Sequence, residues 1–228
     1  MKARLKTNGI LISIAAIVLL FLPKVFFRST LVDWQDDFAE AIGLVSILLG
    51  FLWRLSARGY KAEHSNKGSS IVITGPYSIQ RHPMYFGIAL IGIGVVLILF
   101  NFWALALFLI FFIGRYITLA LQEEKKLILQ FGDDHKSYMK STPILLPSVK
   151  TILKRELKEI LPMRPSWFKK EIGSFLFTVI GILIVESWED LRSEGFNKFA
   201  AELATFIVIL LLFFVFINYL GIRETKES

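Results

Sequence analysis

Residues 83–121 read PMYFGIALIGIGVVLILFNFWALALFLIFFIGRYITLAL, and the stretch carries one formally charged side chain, Arg115. An α-helix rises about 1.5 Å per residue, so crossing a hydrocarbon core of about 30 Å takes about 20 apolar residues. The stretch therefore holds two spans, 83–100 and 102–121, turned back on each other at Asn101. Working outward, further apolar runs lie at 8–27, 38–57, 172–187 and 199–220. The whole chain of 228 residues is 54% hydrophobic with a mean hydropathy of +0.59, more apolar than the roughly 45–50% of a soluble domain. The expected fold class is all-α, a polytopic membrane bundle of about six transmembrane helices.

Lys2, Arg4 and Lys6 precede the first run in the manner of a secretory signal. The run is longer than a signal core, lacks a small-x-small cleavage site and ends in Pro23, Lys24 and Phe26, so it reads as a retained span. With the N-terminus inside, the two outer loops are acid-rich (Asp33, Asp36 and Asp37; Glu186, Glu189, Asp190 and Glu194). Only Lys24, Arg28, Arg192 and Lys198 fall on that side, which leaves 22 of the 26 Lys and Arg elsewhere. Basic loops face the cytoplasm, so both termini are expected to be cytoplasmic. The net charge of +7 then reports anionic membrane lipids, and nucleic acid is not an expected partner. The chain has no Cys, which excludes disulfides and thiolate chemistry. His64, His82 and His135 lack metal-ligand spacing, so no metal site is expected.

The longest polar link follows the span at 102–121. Leu127, Ile128 and Phe131 continue a helical register into the cytoplasm, and Gly132 can take a positive φ before a second short helix through Lys140. Thr142-Pro143 and Pro147 predict an extended exit. From Val149 to Leu161 the residues Val149, Ile152, Leu153, Leu157, Ile160 and Leu161 recur at helical spacing among Lys150, Lys154, Arg155 and Lys158, predicting one basic amphipathic helix on the membrane surface. The organisation expected is a transmembrane core over 1–147, an interfacial segment over 148–170 and a C-terminal pair of spans over 171–228.

Residues 75–147 concentrate the unusual polar side chains. Gly75-Pro76 makes a tight turn, and Pro83 suits the first position of a helix, leaving Arg81 and His82 at the positive end of its dipole, where an anionic group is favoured. Gly87 and Gly94, seven residues apart, allow a helix or a ligand close to the backbone. Arg115 lies within a span, where an ionisable group costs about 2.5–3.5 kcal/mol and is a functional candidate by default. At about 100° per residue it stands roughly 80° around the helix from Glu123, so Arg and Glu can border one cavity. Singly, each has an ordinary reading: Glu123 and Glu124 as solvated charges, Arg115 as a snorkelling side chain, His82 as a helix cap, Tyr77 and Tyr85 as interfacial aromatics, His135 as a solvated residue on a polar turn. Their order along the chain argues against coincidence.

That order resembles the isoprenylcysteine carboxyl methyltransferase and phospholipid methyltransferase group of integral membrane methyltransferases. The matching segments are Gly75-Pro76-Tyr77, the run from Arg81-His82-Pro83 through Tyr85 to Gly87, Asn101, the run from Glu123-Glu124 to Leu127, Phe131-Gly132, and Tyr138 followed by Pro143 and Pro147. The resemblance implies S-adenosylmethionine as cofactor near the cytoplasmic face, held by Tyr77, Arg81, His82, Pro83, Tyr85, Gly87, Glu123, Glu124 and Tyr138. Arg81 suits the cofactor's carboxylate, the glutamates its ammonium and ribose hydroxyls, and tyrosine faces its sulfonium. By the same analogy Arg115 and Glu123 act at the catalytic centre, Arg115 orienting the acceptor. The acceptor implied is a lipid-like or prenylated small molecule, with carboxylate O-methylation favoured because a carboxylate needs no general base. His135 departs from the pattern at a position where relatives often carry Tyr. The other readings are a non-catalytic six-span transport or scaffold protein and a sterol-reductase-like NADPH enzyme. Buried charges paired between two halves are missing for the first, and a glycine-rich dinucleotide turn for the second.

Overall fold

The structure is a computed structural model and describes residues 21, 23–27, 34–193, 196, 200, 203–205, 207–209, 211–216 and 219. The expected span at 8–27 and much of that at 199–220 lie outside the described residues. The described chain is helical: α1 (Pro23–Phe26), α2 (Trp34–His64), α3 (Pro83–Leu99), α4 (Phe102–Ser141), α5 (Val149–Ile152), α6 (Leu157–Ile160) and α7 (Pro165–Ser193), with 3-10 turns at Asn66–Gly68 and Gly75–Ser78. Among the described residues the sole β pairing is an isolated bridge between Phe27 and Phe100. Two helices are long and apolar enough to cross a membrane, within Asp37–His64 and Phe102–Ser141. Much of α4 faces outward with apolar side chains, Ile110 being 66% and Phe111 73% exposed, a surface suited to lipid.

The scaffold rests on the antiparallel pair α2 and α3. Gly43 faces Gly94 and Gly50 faces Gly87, each pair set seven residues from the other along both helices. A Cβ on Gly50 would lie 2.6 Å from the Gly87 carbonyl oxygen, and one on Gly87 would lie 2.8 Å from that of Gly50. Glycine is required here because the backbones themselves touch. Ser46 Oγ adds a bond to the Leu90 carbonyl at 3.2 Å. On the far side of α2, Met163, Trp167, Phe175, Val179 and Ile182 pack against Phe51, Leu52 and Leu55. The N-terminal half of α7 is clipped to α2 by charge: Glu171, buried, meets Arg54 at 2.9 Å and Arg58 at 2.6 Å. Glu63 accepts from Arg164 Nη1 and Trp167 Nε1, each at 2.6 Å. The C-terminal segment, whose role the sequence leaves open, thus packs on the core through α7.

At the opposite end, Asn101 turns α3 into α4 and donates its side-chain amide to the carbonyls of Val25 (3.0 Å) and Phe27 (3.1 Å). The helix beginning at Phe102 runs to Ser141, as its register predicts, with a kink where Gly132 takes φ 56°. The basic amphipathic helix expected over 149–161 is not continuous. It is two single turns, because each end is tied down separately. Ser148 donates its backbone N–H to Ile79 O at 2.9 Å and caps the first turn, its side chain accepting from Thr151 N, while Ile160 is buried on the second.

Candidate functional site

The chain between α2 and α3 delivers the site residues to the N-terminal end of α3. Gly75, at φ 58°, opens the turn that buries Tyr77. His82 is the N-cap of α3 and Pro83 its first residue, where the missing N–H has no intrahelical partner to lose. The returning segment after α4 locks this turn: Arg81 N donates to Pro143 O at 2.8 Å and His82 N to Ile144 O at 3.2 Å. Gln80, fully buried, donates its amide to Leu145 O at 2.6 Å and accepts from Trp53 Nε1.

Against this fixed turn stands the C-terminal half of α4. Glu124 is 3% exposed and not the solvated charge its position suggests. Its Oε1 lies 2.8 Å from Arg81 Nη1 and 3.3 Å from His82 Nε2. Glu123 accepts a 2.5 Å hydrogen bond from the Tyr85 hydroxyl, and the Tyr138 hydroxyl donates to Tyr77 O at 2.6 Å. The His82 and Tyr85 rings stack at 5.4 Å, and Tyr116 closes edge-on over Tyr85 at 4.9 Å.

Burial of the ring, helped by the Arg81 charge, lowers the His82 pKa from its ordinary value against the opposing pull of Glu124 and Glu123. His82 is therefore neutral at pH 7. A carboxylate only accepts, so the proton belongs on Nε2, facing Glu124. Burial likewise raises Tyr77 and Tyr138 well above the phenol range, so both keep their hydroxyl protons. With His82 neutral, Arg81, Glu123 and Glu124 sum to one negative charge, which Lys61, 6.0 Å over the Tyr77 ring, balances. The group therefore presents both cations and anions, which suits a zwitterionic ligand.

These elements enclose a cavity of about 250 Å³ lined by Tyr77, Arg81, His82, Pro83, Tyr85, Glu123 and Tyr138. Seven of the residues expected at the cofactor site therefore share one space, and Glu124 lies directly behind Arg81 and His82. Gly87 faces α2 instead, serving the helix pair. Arg115, half-buried on α4, does not line the cavity. The sequence reading did not single out Lys61, the wall formed by Ser65, Gly68 and Ser70 through Val72, or Gln130 on α4, and it carried Leu127, Phe131 and His135 only as part of the resemblance. It also placed His135 in solvent, whereas the ring is 1% exposed. Up to the kink the signal was present: Glu124, Leu127 and Phe131 follow at steps of three and four, one face of a helix, whereas Gly132 breaks the register before His135 and Tyr138. Gln130 Nε2 donates to Gly68 O at 2.8 Å, joining the two walls.

A model of the phospholipid methyltransferase family matches residues 39–134, from the middle of α2 to just beyond the α4 kink. A protein-S-isoprenylcysteine O-methyltransferase of Schizosaccharomyces pombe is 34% identical over 135 residues, 54% of this chain and 56% of that protein. The chain thus spans about half the length of this curated relative. No solved structure matches. Over these residues the chain is similar to the phospholipid and isoprenylcysteine methyltransferase group, the resemblance its Arg-His-Pro and Glu-Glu segments imply, and the cavity falls inside the matched region except for its wall at His135 and Tyr138.

Proposed function

We propose that the chain is a membrane methyltransferase that binds S-adenosylmethionine in the cavity beside Arg81 and Glu123 and methylates a lipid-like or prenylated acceptor, with a carboxylate favoured. The supporting observation is the charge pattern of the cavity: the Arg81 guanidinium and Lys61 ammonium, the Glu123 carboxylate with Glu124 behind it, and stacked aromatic rings at the end of apolar helices. That set fits a ligand carrying a carboxylate, an ammonium and a sulfonium. Arg81 takes the carboxylate and Glu123 the ammonium, and the faces of Tyr77 and Tyr85 attract the soft cation. The cofactor supplies the methyl group, and the chain supplies position and a dry setting. Neutral His82 holds the Glu124 carboxylate, which aligns Arg81. Glu123 is kept in place by Tyr85. Arg115 lies eight residues before Glu123, about 12 Å along the helix on the membrane side. We assign it to the anionic group of an acceptor entering from the bilayer.

In this reading the chain spans the membrane six times with both termini and the cavity on the cytoplasmic side, and Leu146, Val149, Leu153 and Leu157, all exposed, rest on the lipid surface with their neighbouring cations. Equilibrium binding of S-adenosylhomocysteine to detergent-purified protein tests the site. His82→Ala and Glu124→Ala should each weaken it at least tenfold, and unchanged affinity in both would remove the assignment.

A further inference from the structure

The cavity contains a residue that departs from the motif pattern and lies just beyond the residues the family model matches, and its side chain has unsatisfied chemistry. Each tyrosine hydroxyl on the lining is already committed: Tyr77 to Ala57 O, Tyr85 to Glu123, Tyr138 to Tyr77 O. His82 Nε2 is committed to Glu124. By contrast both ring nitrogens of His135 are buried without a hydrogen-bond partner, and so is Arg81 Nε. Arg81 Nη1 has its 2.8 Å approach to Glu124 but lies outside hydrogen-bond geometry. Buried polar groups are satisfied in the great majority of cases, and orphans call for a missing partner. Both residues line the cavity, where His135 feels the charges of Arg81 and Glu124. No hydrogen bond commits either nitrogen of the imidazole.

We propose that His135 is a cofactor-binding residue that, with Arg81, reads the α-amino-carboxylate end of the adenosyl ligand. The proposal rests on the cofactor reading above and deepens it. A neutral imidazole brings one donor and one acceptor. Burial lowers the His135 pKa and keeps it in that form. Its N–H and the guanidinium N–H groups of Arg81 are the donors a carboxylate needs, while the ligand's ammonium turns to Glu123. The positive φ of Gly132 bends α4 just before His135, which brings the ring back over the cavity.

The test is calorimetric binding of two ligands, S-adenosylhomocysteine and 5′-methylthioadenosine, which lacks the amino-acid end, to wild-type protein and to His135→Phe and His135→Asn. A hydrogen bond to a charged group corresponds to roughly ten- to a hundredfold in affinity. His135→Phe should therefore weaken S-adenosylhomocysteine at least tenfold and leave methylthioadenosine within about twofold, while His135→Asn, which keeps a donor and an acceptor, retains most of the affinity. Because phenylalanine removes two orphaned nitrogens, the ligand-free melting temperature should hold or rise. Equal losses for both ligands, a fall in ligand-free melting temperature, or unchanged S-adenosylhomocysteine binding each overturn the role of His135 and leave the cofactor reading standing. Wild-type protein that binds neither ligand overturns both.

Discussion

Replacing Glu124 with Gln tests whether the Arg81–Glu124 contact organises the site. The carboxylate is almost wholly buried, takes Arg81 at 2.8 Å and His82 at 3.3 Å, and the Arg81 side chain is 12% exposed. Removing one member of a buried pair costs about 3–5 kcal/mol. Glutamine keeps the shape and one acceptor, and Arg81 retains slight hydration, so about 2–3 kcal/mol is the expected loss on that scale. For a chain of this size that corresponds to a melting temperature lower by roughly 5–10 °C. The assay is thermal unfolding in detergent of wild type, Arg81→Gln, Glu124→Gln and the double variant. A coupling of about 2 kcal/mol should appear, the double variant being less damaged than the sum of the singles. Additive single effects, or a melting temperature within a degree of wild type for Glu124→Gln, would refute the reasoning and return Glu124 to the solvated residue its sequence position suggests.

Burial holds His82 and His135 below the ordinary histidine pKa, so the unfolded chain binds up to two more protons once the pH drops below about 6.5. Unfolding free energy should be flat above that pH and fall by up to about 1.4 kcal/mol per unit for each histidine below it; melts between pH 7.5 and 5.5 check this, and His135→Phe should reduce the slope. Gly50→Ala drives a Cβ to 2.6 Å from the Gly87 carbonyl oxygen and should cost about 1–3 kcal/mol through overpacking, whereas Gly114→Ala, with nothing within 4 Å, should stabilise by about 0.5–1 kcal/mol; melting temperatures that move together would contradict the packing. Arg115→Ala should raise the acceptor KM in a methyl-transfer assay about tenfold or more, as loss of a charged contact implies, with S-adenosylhomocysteine binding unchanged; a matching loss of cofactor affinity would place Arg115 in the cavity after all.

Much of the site was legible in the chain because its parts are local. The Gly75-Pro76 turn, Pro83 at a helix start and the continuation of α4 beyond its apolar run follow from φ restriction and helical period, and the structure has all three. Gly87 was legible as a place of close approach, and α2 is what approaches. The amphipathic segment misled because periodicity reports a helical face and is blind to hydrogen bonds from elsewhere: Ile79 and Ser148 fix one end and burial of Ile160 the other. His135 misled for the converse reason. Its neighbours Asp133, Asp134 and Lys136 are polar, but the kink at Gly132 turns its ring inward.

By itself the sequence determined the all-helical character, the apolar lengths suited to a bilayer, and the identity of the Arg-His-Pro and Glu-Glu elements, since these depend on hydrophobicity and on residues adjacent in the chain. Tertiary structure decided which of them meet. Glu124 became a buried partner of Arg81, Gly87 a helix contact, and His135 an unsatisfied wall of the cavity. Burial and pairing join side chains distant in the chain, 42 residues apart for His82 and Glu124 and 113 for Arg58 and Glu171, and no local pattern encodes which of them meet.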